Sequence, residues 1–337
     1  MNFGGTLRVN KFACFTLGFV LFLIIYWRSS GSGYPSDTSD LVSMKSLLNA
    51  AIYAAERGGI MVIEGKNRGL KIHSKGKTKE GANDPVTDAD YASHCAMYYT
   101  LKNAFPKLAI ISEEHSVAEK DCQNQEPIDL DSTPQGQRII NYISDELVLA
   151  KDVTVWIDPL DATQEYTEAL YSYVTTMVCV AINGVPIVGV IHYPFPPTTY
   201  WGWLMKRTSS NIPKVLYKED NKLHPRVIVS RSHPGKVADM ASKAFGPKTS
   251  ITPSAGAGNK YMSVVNGTHD VYLHETAIKK WDLCAGHAIL KANNGTVTTT
   301  KGERIDYSSE SNVVVSDGIL ATLYDHHFYL DKLKTVL

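Results

Sequence analysis

An excess of charge of either sign is missing from this sequence. Its 34 lysine and arginine residues are balanced by 34 aspartate and glutamate residues, so the formal net charge is zero. General binding of polyanions depends on an excess of positive charge, so this balance excludes that class of protein. We therefore expect no nucleic-acid partner, and any charged ligand must meet a local cluster of side chains. Internal repeats are absent as well, so no repeat architecture is expected.

Cysteine is scarce, with five residues in a chain of 337. Cys14 lies in an apolar stretch, and the spacings of the other four, Cys95, Cys122, Cys179 and Cys284, match no metal-binding motif. Cys95 and Cys284 lie in helical patterns, so we expect them to be buried thiols. The sequence leaves open whether any two of the four form a disulfide.

One long apolar run stands near the N-terminus, where residues 12–27 read FACFTLGFVLFLIIYW. Arg8 and Lys11 precede it and Arg28 follows it, and no A-x-A-like cleavage site comes after it. The run is short for a membrane span but too long for the apolar core of a signal peptide. We interpret it as an uncleaved signal-anchor whose charge bias holds the N-terminus in the cytosol. The alternative is a cleaved signal peptide, which would give a soluble secreted protein.

This interpretation divides the chain into five segments. They are a cytosolic tail at 1–11, a transmembrane helix at 12–28, a luminal linker at 29–40, an N-terminal lobe at 41–215 and a C-terminal lobe at 216–337. Two glycosylation sequons fit a luminal location for the lobes. They begin at Asn266 and Asn294, each next to a glycine turn and so expected to be exposed.

Hydrophobic periodicity predicts an α/β protein, an α+β sandwich with an antiparallel-rich lobe followed by a mixed one. The first predicted helix begins at Leu41 and ends at Gly58-Gly59, and the second begins at Asp84 and ends at Phe105. Residues 115–137 are polar and predict a surface loop. Further strands are predicted at 108–111, 153–157, 174–182, 187–192, 200–205, 226–230, 271–273 and 312–316, and further helices at 237–245, 261–265, 282–291 and the C-terminus. Asn183-Gly184 is a strong hairpin signal.

The stretch WIDPLDATQEY, residues 156–166, places two carboxylates directly after a β-rich segment. One interpretation is a turn in which Asp161 or Thr163 caps a helix at residues 164–170. The other is that Asp158 and Asp161 converge beside a helix N-terminus that can bind an anion. Converging carboxylates need a cation between them, and oxygen ligands favour Mg²⁺ or Ca²⁺. Since no nucleotide-cradling glycine-rich loop is present, this second interpretation predicts hydrolysis of a phosphate ester.

Four motifs in order resemble the signature of the lithium-sensitive, Mg²⁺-dependent phosphatases, which include inositol monophosphatases, fructose-1,6-bisphosphatases and 3′-nucleotidases. These motifs are DPVTDAD (84–90), SEE (112–114), WIDPLDAT (156–163) and WD (281–282). The resemblance covers about residues 41–335 and implies the layered αβαβα fold of that superfamily. Ala162 stands where much of the superfamily has glycine, a departure shared with the Golgi branch of 3′-phosphoadenosine 5′-phosphate (PAP) 3′-phosphatases.

The chain is most similar to that Golgi branch, through stretches such as DATQEYTE, VSRSH, GAGNK and IKKWDLCAG. The resemblance implies a phosphoric monoester hydrolase that converts PAP, the by-product of sulfotransferases, to AMP in the Golgi lumen. It also implies a single-pass type II membrane protein and no covalent intermediate. The resemblance does not indicate which oligomeric state the protein adopts.

Roles carry over from the family to individual residues. The resemblance implies two or three Mg²⁺ ions held by Glu113, Asp158, the carbonyl of Leu160, Asp161 and Asp282. It implies that Asp90 and Thr163 activate the attacking water, and that the substrate is bound by Asp161, Ala162, Thr163, Ser230, His233, Gly256 and Lys260.

Two other functions stay open at this point. The same chemistry could act on inositol phosphates, because the groups that would stack an adenine cannot be located in the sequence. An inactive luminal binding or scaffold protein is the alternative from another class, and the complete carboxylate set argues against it. The substrate residues also have plainer interpretations, with His233 as an exposed turn residue, Ser230 as a strand end and Lys260 as a solvated lysine.

Overall fold

The computed structural model describes residues 40–69, 71–77, 83–114, 122, 143–217, 219–232 and 235–337. Residues 41–337 form one compact unit. The predicted tail at 1–11, the predicted transmembrane helix at 12–28 and nearly all of the predicted linker and of the loop at 115–137 lie outside the described residues. Among the residues that are described, no helix has the length and apolar character needed to cross a membrane.

A six-stranded sheet forms the first half of this unit, in the order β10-β9-β8-β7-β6-β4. Its strands are β4 (Ala109–Ser112), β6 (Val153–Asp161), β7 (Thr175–Ile182), β8 (Val185–Pro194), β9 (Pro197–Trp203) and β10 (Arg207–Thr208). Only the β4–β6 pair is parallel. The predicted hairpin is confirmed, since Asn183 and Gly184 both adopt positive φ, as a tight two-residue turn requires.

Two long helices, α1 (Met44–Arg68) and α2 (Asp88–Ala104), pack on the outer face of this sheet. The predicted end of α1 at Gly58-Gly59 is wrong, because the helix continues for two more turns. A Cβ at Gly58 would stand 2.5 Å from the sulfur of Met97, and one at Gly59 would stand 2.5 Å from the His192 ring. These glycines therefore allow close packing inside a helix and do not end it.

The beginnings of both helices also differ from the prediction. Leu41–Ser43 is a short strand, β1, paired with β5 (Leu147–Leu149), and Ser43 caps α1. Asn83–Thr87 is a strand, β3, paired with β2 (Ile72–Lys77), so α2 begins four residues later than predicted. Thr87 supplies its N-cap in a capping box, which explains the later start.

A second sheet of five strands, in the order β12-β11-β13-β17-β15, forms the other half. Its strands are β11 (Arg226–Ser230), β12 (Ser250–Ser254), β13 (Val271–His274), β15 (Thr296–Thr298) and β17 (Ile319–Thr322). Strand β11 is parallel to both neighbours, and β17 is antiparallel to β13 and β15. The predicted order, hairpins first and α/β alternation second, is confirmed.

Two helices lie between the sheets and two cover the outer face of the second sheet. The inner helices are α5 (Ala257–Val265) and α6 (Lys280–Ala292), and the outer ones are α4 (Val237–Phe245) and α7 (His326–Lys334). The layers are therefore αβαβα, which confirms the fold that the resemblance implies. Helix α5 begins before the predicted residue 261, and the strand predicted at 312–316 shrinks to β16 (Val314–Val315), paired with β14 (Ile278–Lys279). The predicted lobe boundary after residue 215 falls in the connection between the sheets.

The four described cysteines form two disulfides, Cys95–Cys122 and Cys179–Cys284. The sequence-based expectation that Cys95 and Cys284 are thiols is therefore wrong, although both are buried as expected. The Cα–Cα distances are 5.1 Å and 5.6 Å, within the usual range for disulfides. Sequence spacing could not show these pairs, because the partners are brought together only by the packed fold.

Candidate active site

Strand β6 ends in the carboxylates of Asp158 and Asp161. Its β-branched run packs it into the core, and all of its residues are buried. The pairing with β7 is irregular between Asp158 and Asp161, at Pro159 and Leu160. Ser93 of α2 donates a hydrogen bond to the carbonyl of Pro159 at 2.6 Å, which holds the irregular segment. Both carboxylates line the same cavity, as the sequence predicted for the functional alternative.

Asp158 has one carboxylate oxygen that accepts no hydrogen bond. Its Oδ1 accepts from the amide of Leu160 at 3.2 Å, whereas its Oδ2 is buried without a hydrogen-bond partner. The side chain is only 1% exposed. A buried carboxylate oxygen without a donor is costly unless something else binds it.

Asp161 is bound by the N-terminus of α5. It accepts hydrogen bonds from the amides of Ala257 at 2.9 Å and Gly258 at 2.8 Å, and from the Thr175 hydroxyl at 2.9 Å. The alternative interpretation, in which Asp161 or Thr163 caps the next helix, is wrong, since Ala162 is the N-cap of α3 (Thr163–Thr167) and makes no side-chain bond. The anion-binding helix end beside the carboxylates is thus that of α5, which lies almost a hundred residues later.

Glu113 and Glu114 follow β4 and are joined by the ammonium of Lys75. Lys75 Nζ lies 3.1 Å from Glu113 Oε1 and in closer contact with Glu114. Burial raises the pKa of Glu114, and the neighbouring Glu113 raises it further. Lys75 lies on β2, so the hairpin of β2 and β3 brings a cation to this edge of the carboxylate group.

Asp90 and Thr163 meet through a direct hydrogen bond. The Thr163 hydroxyl lies 3.0 Å from Asp90 Oδ1 and 3.0 Å from the carbonyl of Leu160, so it can donate to either. Asp90 Oδ2 accepts from the amide and the hydroxyl of Thr87 at 2.7 Å and 2.6 Å. The capping box of α2 therefore fixes the orientation of Asp90, and its Oδ1 is left to accept a hydrogen bond from Thr163.

Asp282 stands in the first turn of α6 and is partly buried where it lines the cavity described below. The amide of Lys279 donates to its Oδ2 at 3.3 Å. Burial, with the charges of Glu113 and Asp161, raises its pKa to about 8. The same causes raise the pKa of Asp158, which faces Glu113, Asp161 and Asp282. Burial also raises the pKa of Asp90 to about 7.

This charge distribution fits a divalent cation. Four carboxylates, those of Glu113, Asp158, Asp161 and Asp282, line one cavity, and the Oδ2 of Asp158 is buried without a hydrogen-bond partner. Across the part of the chain that the structure describes, no three acidic, histidine or cysteine side chains converge closely enough to hold an ion. In this arrangement Lys75 pairs with Glu113, and the amides of Ala257 and Gly258 donate to Asp161. The set of metal ligands named from the sequence therefore stays a prediction.

A cavity of about 730 Å³ opens from these carboxylates. Its size is in the range of sites that bind small molecules. It is lined by eight of the residues predicted for the site besides Asp158 and Asp161: Glu113, Leu160, Ala162, Thr163, Ser230, Gly256, Lys260 and Asp282. Asp90 does not line the cavity, but it accepts a hydrogen bond from Thr163, which does. His233 lies outside the described residues.

Lys260 is the buried cation of this cavity. Its side chain is only 4% exposed, and its Nζ donates to the carbonyl of Gly256 at 2.7 Å. The ammonium also stands over the ring of Tyr272, 5.4 Å from the centroid. Burial lowers its pKa, against the opposing effect of Asp161 and Glu165. The interpretation of Lys260 as a solvated lysine is therefore wrong.

Three residues of the site escaped the sequence analysis: Lys75, Thr175 and Arg231. The guanidinium of Arg231 lines the cavity and pairs with Glu168 at 2.8 Å and Glu165 at 3.4 Å. The VSRSH stretch contained Arg231, and its basic side chain between two serines was the available signal. No sequence signal pointed to Lys75 or Thr175, because their partners are distant in sequence.

We expect Lys75→Gln to lower the Mg²⁺ concentration that half-saturates the protein by about threefold to tenfold. The ammonium of Lys75 neutralises Glu113 and competes with a cation for the same carboxylate. The measurement is the rise in melting temperature with Mg²⁺. Lys71→Gln is the matched control, since Lys71 pairs with the exposed Asp88 at 3.8 Å. Equal Mg²⁺ responses for the two variants would contradict the competition.

Comparison with known proteins agrees with the fold. The sequence profile of the Inositol monophosphatase family matches residues 43–329. The chain is 46% identical over 303 residues to inositol monophosphatase 3 of Danio rerio, covering 86% of this chain and 84% of that one. It is 44% identical over 294 residues to the Golgi-resident adenosine 3′,5′-bisphosphate 3′-phosphatase of Bos taurus, covering 85% and 78%.

Among solved structures, the inositol monophosphatase of Anabaena superposes with a TM-score of 0.61 at 21% identity. The alignment covers 87% of this chain and 97% of that one. The profile match spans most of the chain, and the carboxylates of Glu113, Asp158, Asp161 and Asp282 lie around one cavity. The chain therefore belongs to the inositol monophosphatase family.

Proposed function

We propose that this protein hydrolyses the 3′-phosphate of adenosine 3′,5′-bisphosphate, or PAP, to AMP and phosphate with Mg²⁺. The observation that carries the proposal is the buried, unpartnered Oδ2 of Asp158 among Glu113, Asp161 and Asp282, in a cavity that also contains Lys260. Relatives named as adenosine 3′,5′-bisphosphate 3′-phosphatases at 42–44% identity support the substrate.

The assignment of the metal ligands rests on the family resemblance and is supported by the carboxylates that line the cavity. Glu113, Asp158 and the carbonyl of Leu160 are assigned to one Mg²⁺, and Asp158, Asp161 and Asp282 to a second. Two Mg²⁺ ions supply an activated water and a clamp for the charge on the phosphate and the leaving oxygen. The donor set fits, since it consists of hard oxygen atoms, one of which lacks any partner. A third ion stays a prediction.

Asp90 and Thr163 hold the attacking water and take its proton. The Thr163 hydroxyl can donate to Asp90, which leaves its own oxygen lone pairs for a water. Asp90 is suited to accept a proton because burial raises its pKa to about 7. The proton passes from the water to Asp90, either directly or by relay, in which Thr163 gives its own hydroxyl proton to Asp90 as it takes that of the water. No covalent enzyme intermediate is needed.

The cationic end of the cavity binds the rest of the substrate. Lys260 and the N-terminus of α5 at Gly256 suit a second phosphate, because an ammonium and backbone N–H groups both bind such an anion. Ser230 and His233 are assigned to the nucleotide by the family resemblance, and Asp161, Ala162 and Thr163 to the scissile phosphate.

The proposed location is the Golgi membrane, with the catalytic unit in the lumen. The names of the relatives support the Golgi, and the apolar run at 12–28 is assigned as a type II signal-anchor. Asn266 and Asn294 are exposed, and the Thr268 hydroxyl donates to Asn266 Oδ1 at 2.6 Å. Both sequons are thus accessible to a glycosyl transferase. Two disulfides suit an oxidising compartment.

An inositol monophosphatase activity is the second candidate. It is favoured by the name of the Danio rerio relative, inositol monophosphatase 3, at 46% identity. It would use the same carboxylates and Asp90, and it would leave Lys260 without a second phosphate to bind. The inactive scaffold is disfavoured because Glu113, Asp158, Asp161 and Asp282 are all present.

Phosphate release by the full-length chain tests the proposal. We would compare PAP with inositol 1-phosphate at equal concentration, each with Mg²⁺ and with a chelator. We expect Mg²⁺-dependent release from PAP to exceed that from the inositol ester by at least about tenfold. Faster release from inositol 1-phosphate would move the function to the second candidate, and no release from either would favour the scaffold.

A further inference from the structure

The Cys179–Cys284 disulfide lies directly behind the carboxylates of the active site. Cys179 is in β7 and Cys284 is in α6, and both side chains are at most 1% exposed. The bridge therefore joins the first sheet to the inner helix layer inside the largest apolar cluster around Trp156 and Tyr261. No proposed step of the reaction uses it.

Each cysteine of the bridge is two residues along its helix or strand from an assigned metal ligand or from the residue that pairs with one. On α6, Cys284 follows Asp282 by two residues, which is about 3 Å along the axis of a helix. On the sheet, Trp156 pairs with Cys179 and Asp158 pairs with Met177, so Asp158 is offset from the bridge by the same two residues. The bridge thus connects the two elements that carry Asp158 and Asp282, close to both.

The packing beside the bridge is unusually close. Gly189 of β8 pairs with Cys179, and a Cβ at Gly189 would stand 2.1 Å from the carbonyl oxygen of Ala285. The backbone of α6 therefore touches the sheet one residue after Cys284. A covalent bond at this contact fixes the position of the helix along its axis as well as its distance from the sheet.

We propose that the Cys179–Cys284 disulfide positions Asp282 against Asp158 and so sets the affinity of the second metal ion. The inference rests on the proposed function, because it requires that both carboxylates bind Mg²⁺. Mg²⁺ demands near-octahedral geometry at about 2.0–2.1 Å, so a small shift of one ligand weakens its binding. Cys179 and Cys284 are positioning residues and do not touch the substrate.

Formation of the bridge requires an oxidant. The two thiols lose two protons and two electrons, and the sulfur–sulfur bond forms between them. A protein disulfide of the secretory lumen accepts the electrons by thiol–disulfide exchange and leaves as a dithiol. The proposed luminal location supplies this reactant, and a chain kept in a reducing compartment would lack the bridge.

The test begins with a count of thiols in the full-length protein after denaturation without reductant. We expect a maleimide probe to label Cys14 and leave Cys179 and Cys284 unlabelled. Melting temperature against Mg²⁺ concentration then compares the wild type with Cys179→Ala/Cys284→Ala. We expect the variant to need at least about tenfold more Mg²⁺ for half of its maximal shift, a readout that does not depend on catalysis.

The second disulfide provides the matched control. Cys95→Ala/Cys122→Ala removes a buried bridge whose two cysteines lie in neither β7 nor α6, and we expect its Mg²⁺ response to equal that of the wild type. If the Cys179→Ala/Cys284→Ala variant does not fold, the Cys95→Ala/Cys122→Ala variant refolded with reductant replaces it, because the reductant then opens only the Cys179–Cys284 bridge.

Several results would overturn the inference. One is maleimide labelling of Cys179 and Cys284 in the denatured wild type. The others are a Mg²⁺ response that is unchanged without the bridge, or an equally weakened Mg²⁺ response in the control variant. A wild type that binds no Mg²⁺ would contradict the proposed function itself and remove the basis of this inference. A shift in Mg²⁺ response confined to loss of the Cys179–Cys284 bridge supports it.

Discussion

Asp158→Asn should lower kcat/KM for PAP by at least about 10⁴-fold while the protein stays folded. Asp158 is the carboxylate shared by both assigned metal ions, and its Oδ2 has no other partner. A neutral amide removes the charge that holds two divalent cations and places two N–H donors in their position. A loss of 10⁴ corresponds to roughly 5.5 kcal/mol of transition-state stabilisation, a reasonable cost for losing metal activation.

The same variant should be at least as stable as the wild type in the absence of metal. Burial and the neighbouring carboxylates Glu113, Asp161 and Asp282 disfavour a charge at Asp158, as its raised pKa indicates. Removing that charge relieves repulsion in the folded state. Phosphate release and the melting temperature in a chelator therefore move in opposite directions, which distinguishes this result from simple unfolding.

The exposed Asp239 of α4 offers a control with the same chemical change, since Asp239→Asn should alter neither measurement. Retention of more than about one-tenth of the activity in Asp158→Asn would contradict the role given to Asp158. A variant that loses activity together with most of its stability would point instead to a structural carboxylate.

Metal-free protein should lose stability as the pH rises from about 4 to 8, and Mg²⁺ should restore it. Burial raises the pKa of Asp90 from 3.8 to about 7 and that of Asp282 to about 8. Between the unfolded and folded pKa values, the folded state binds more protons than the unfolded state. Stability therefore falls as the pH rises through this window and is constant above it.

The loss of stability of the metal-free protein between pH 4 and pH 8 should be large for a protein of this length. The shift of Asp90 alone corresponds to on the order of 4 kcal/mol at a pH above both values. Thermal unfolding with a chelator and with Mg²⁺, at pH 5 and pH 8, gives the measurement. We expect the Mg²⁺-induced rise in melting temperature to be much greater at pH 8, because the cation replaces the protons.

Calcium-free buffers of matched ionic strength exclude general salt effects. In these buffers the melting temperature of metal-free Asp158→Asn should change less with pH than that of the wild type. Metal-free protein that becomes more stable toward pH 8 would show that these carboxylates are ionised and well compensated in the folded state. The cation would then not be needed to offset their charge.

The sequence revealed the metal-ligand candidates because they are adjacent to recognisable local features. Asp158 and Asp161 follow a β-rich run, and Asp282 begins a helical pattern, so their types and positions could be inferred from short windows. The convergence of the four acidic residues followed from the family resemblance. No local rule gives the register that brings β4, β6 and α6 to one cavity.

Other features depend on contacts between distant segments. Gly58 and Gly59 suggested a helix end, but their missing side chains make room for Met97 and His192, and tertiary packing outweighed local propensity. The partner of Asp161 is the end of a helix 96 residues away. The disulfide pairs and the contact of Lys75 with Glu113 have the same origin, since only the assembled layers bring these groups together.

The hydrogen bonds of Asp161 have a consequence for the order of binding events. The amides of Ala257 and Gly258 now donate to this carboxylate, although they equally suit an oxygen of a phosphate. An anion that takes these N–H groups frees Asp161 for a cation, and a cation that draws Asp161 frees the N–H groups for an anion. Thermodynamic reciprocity makes the two effects equal in size. If Asp161 binds the proposed cation, this one carboxylate couples the cofactor and substrate equilibria, so that each ligand strengthens the binding of the other.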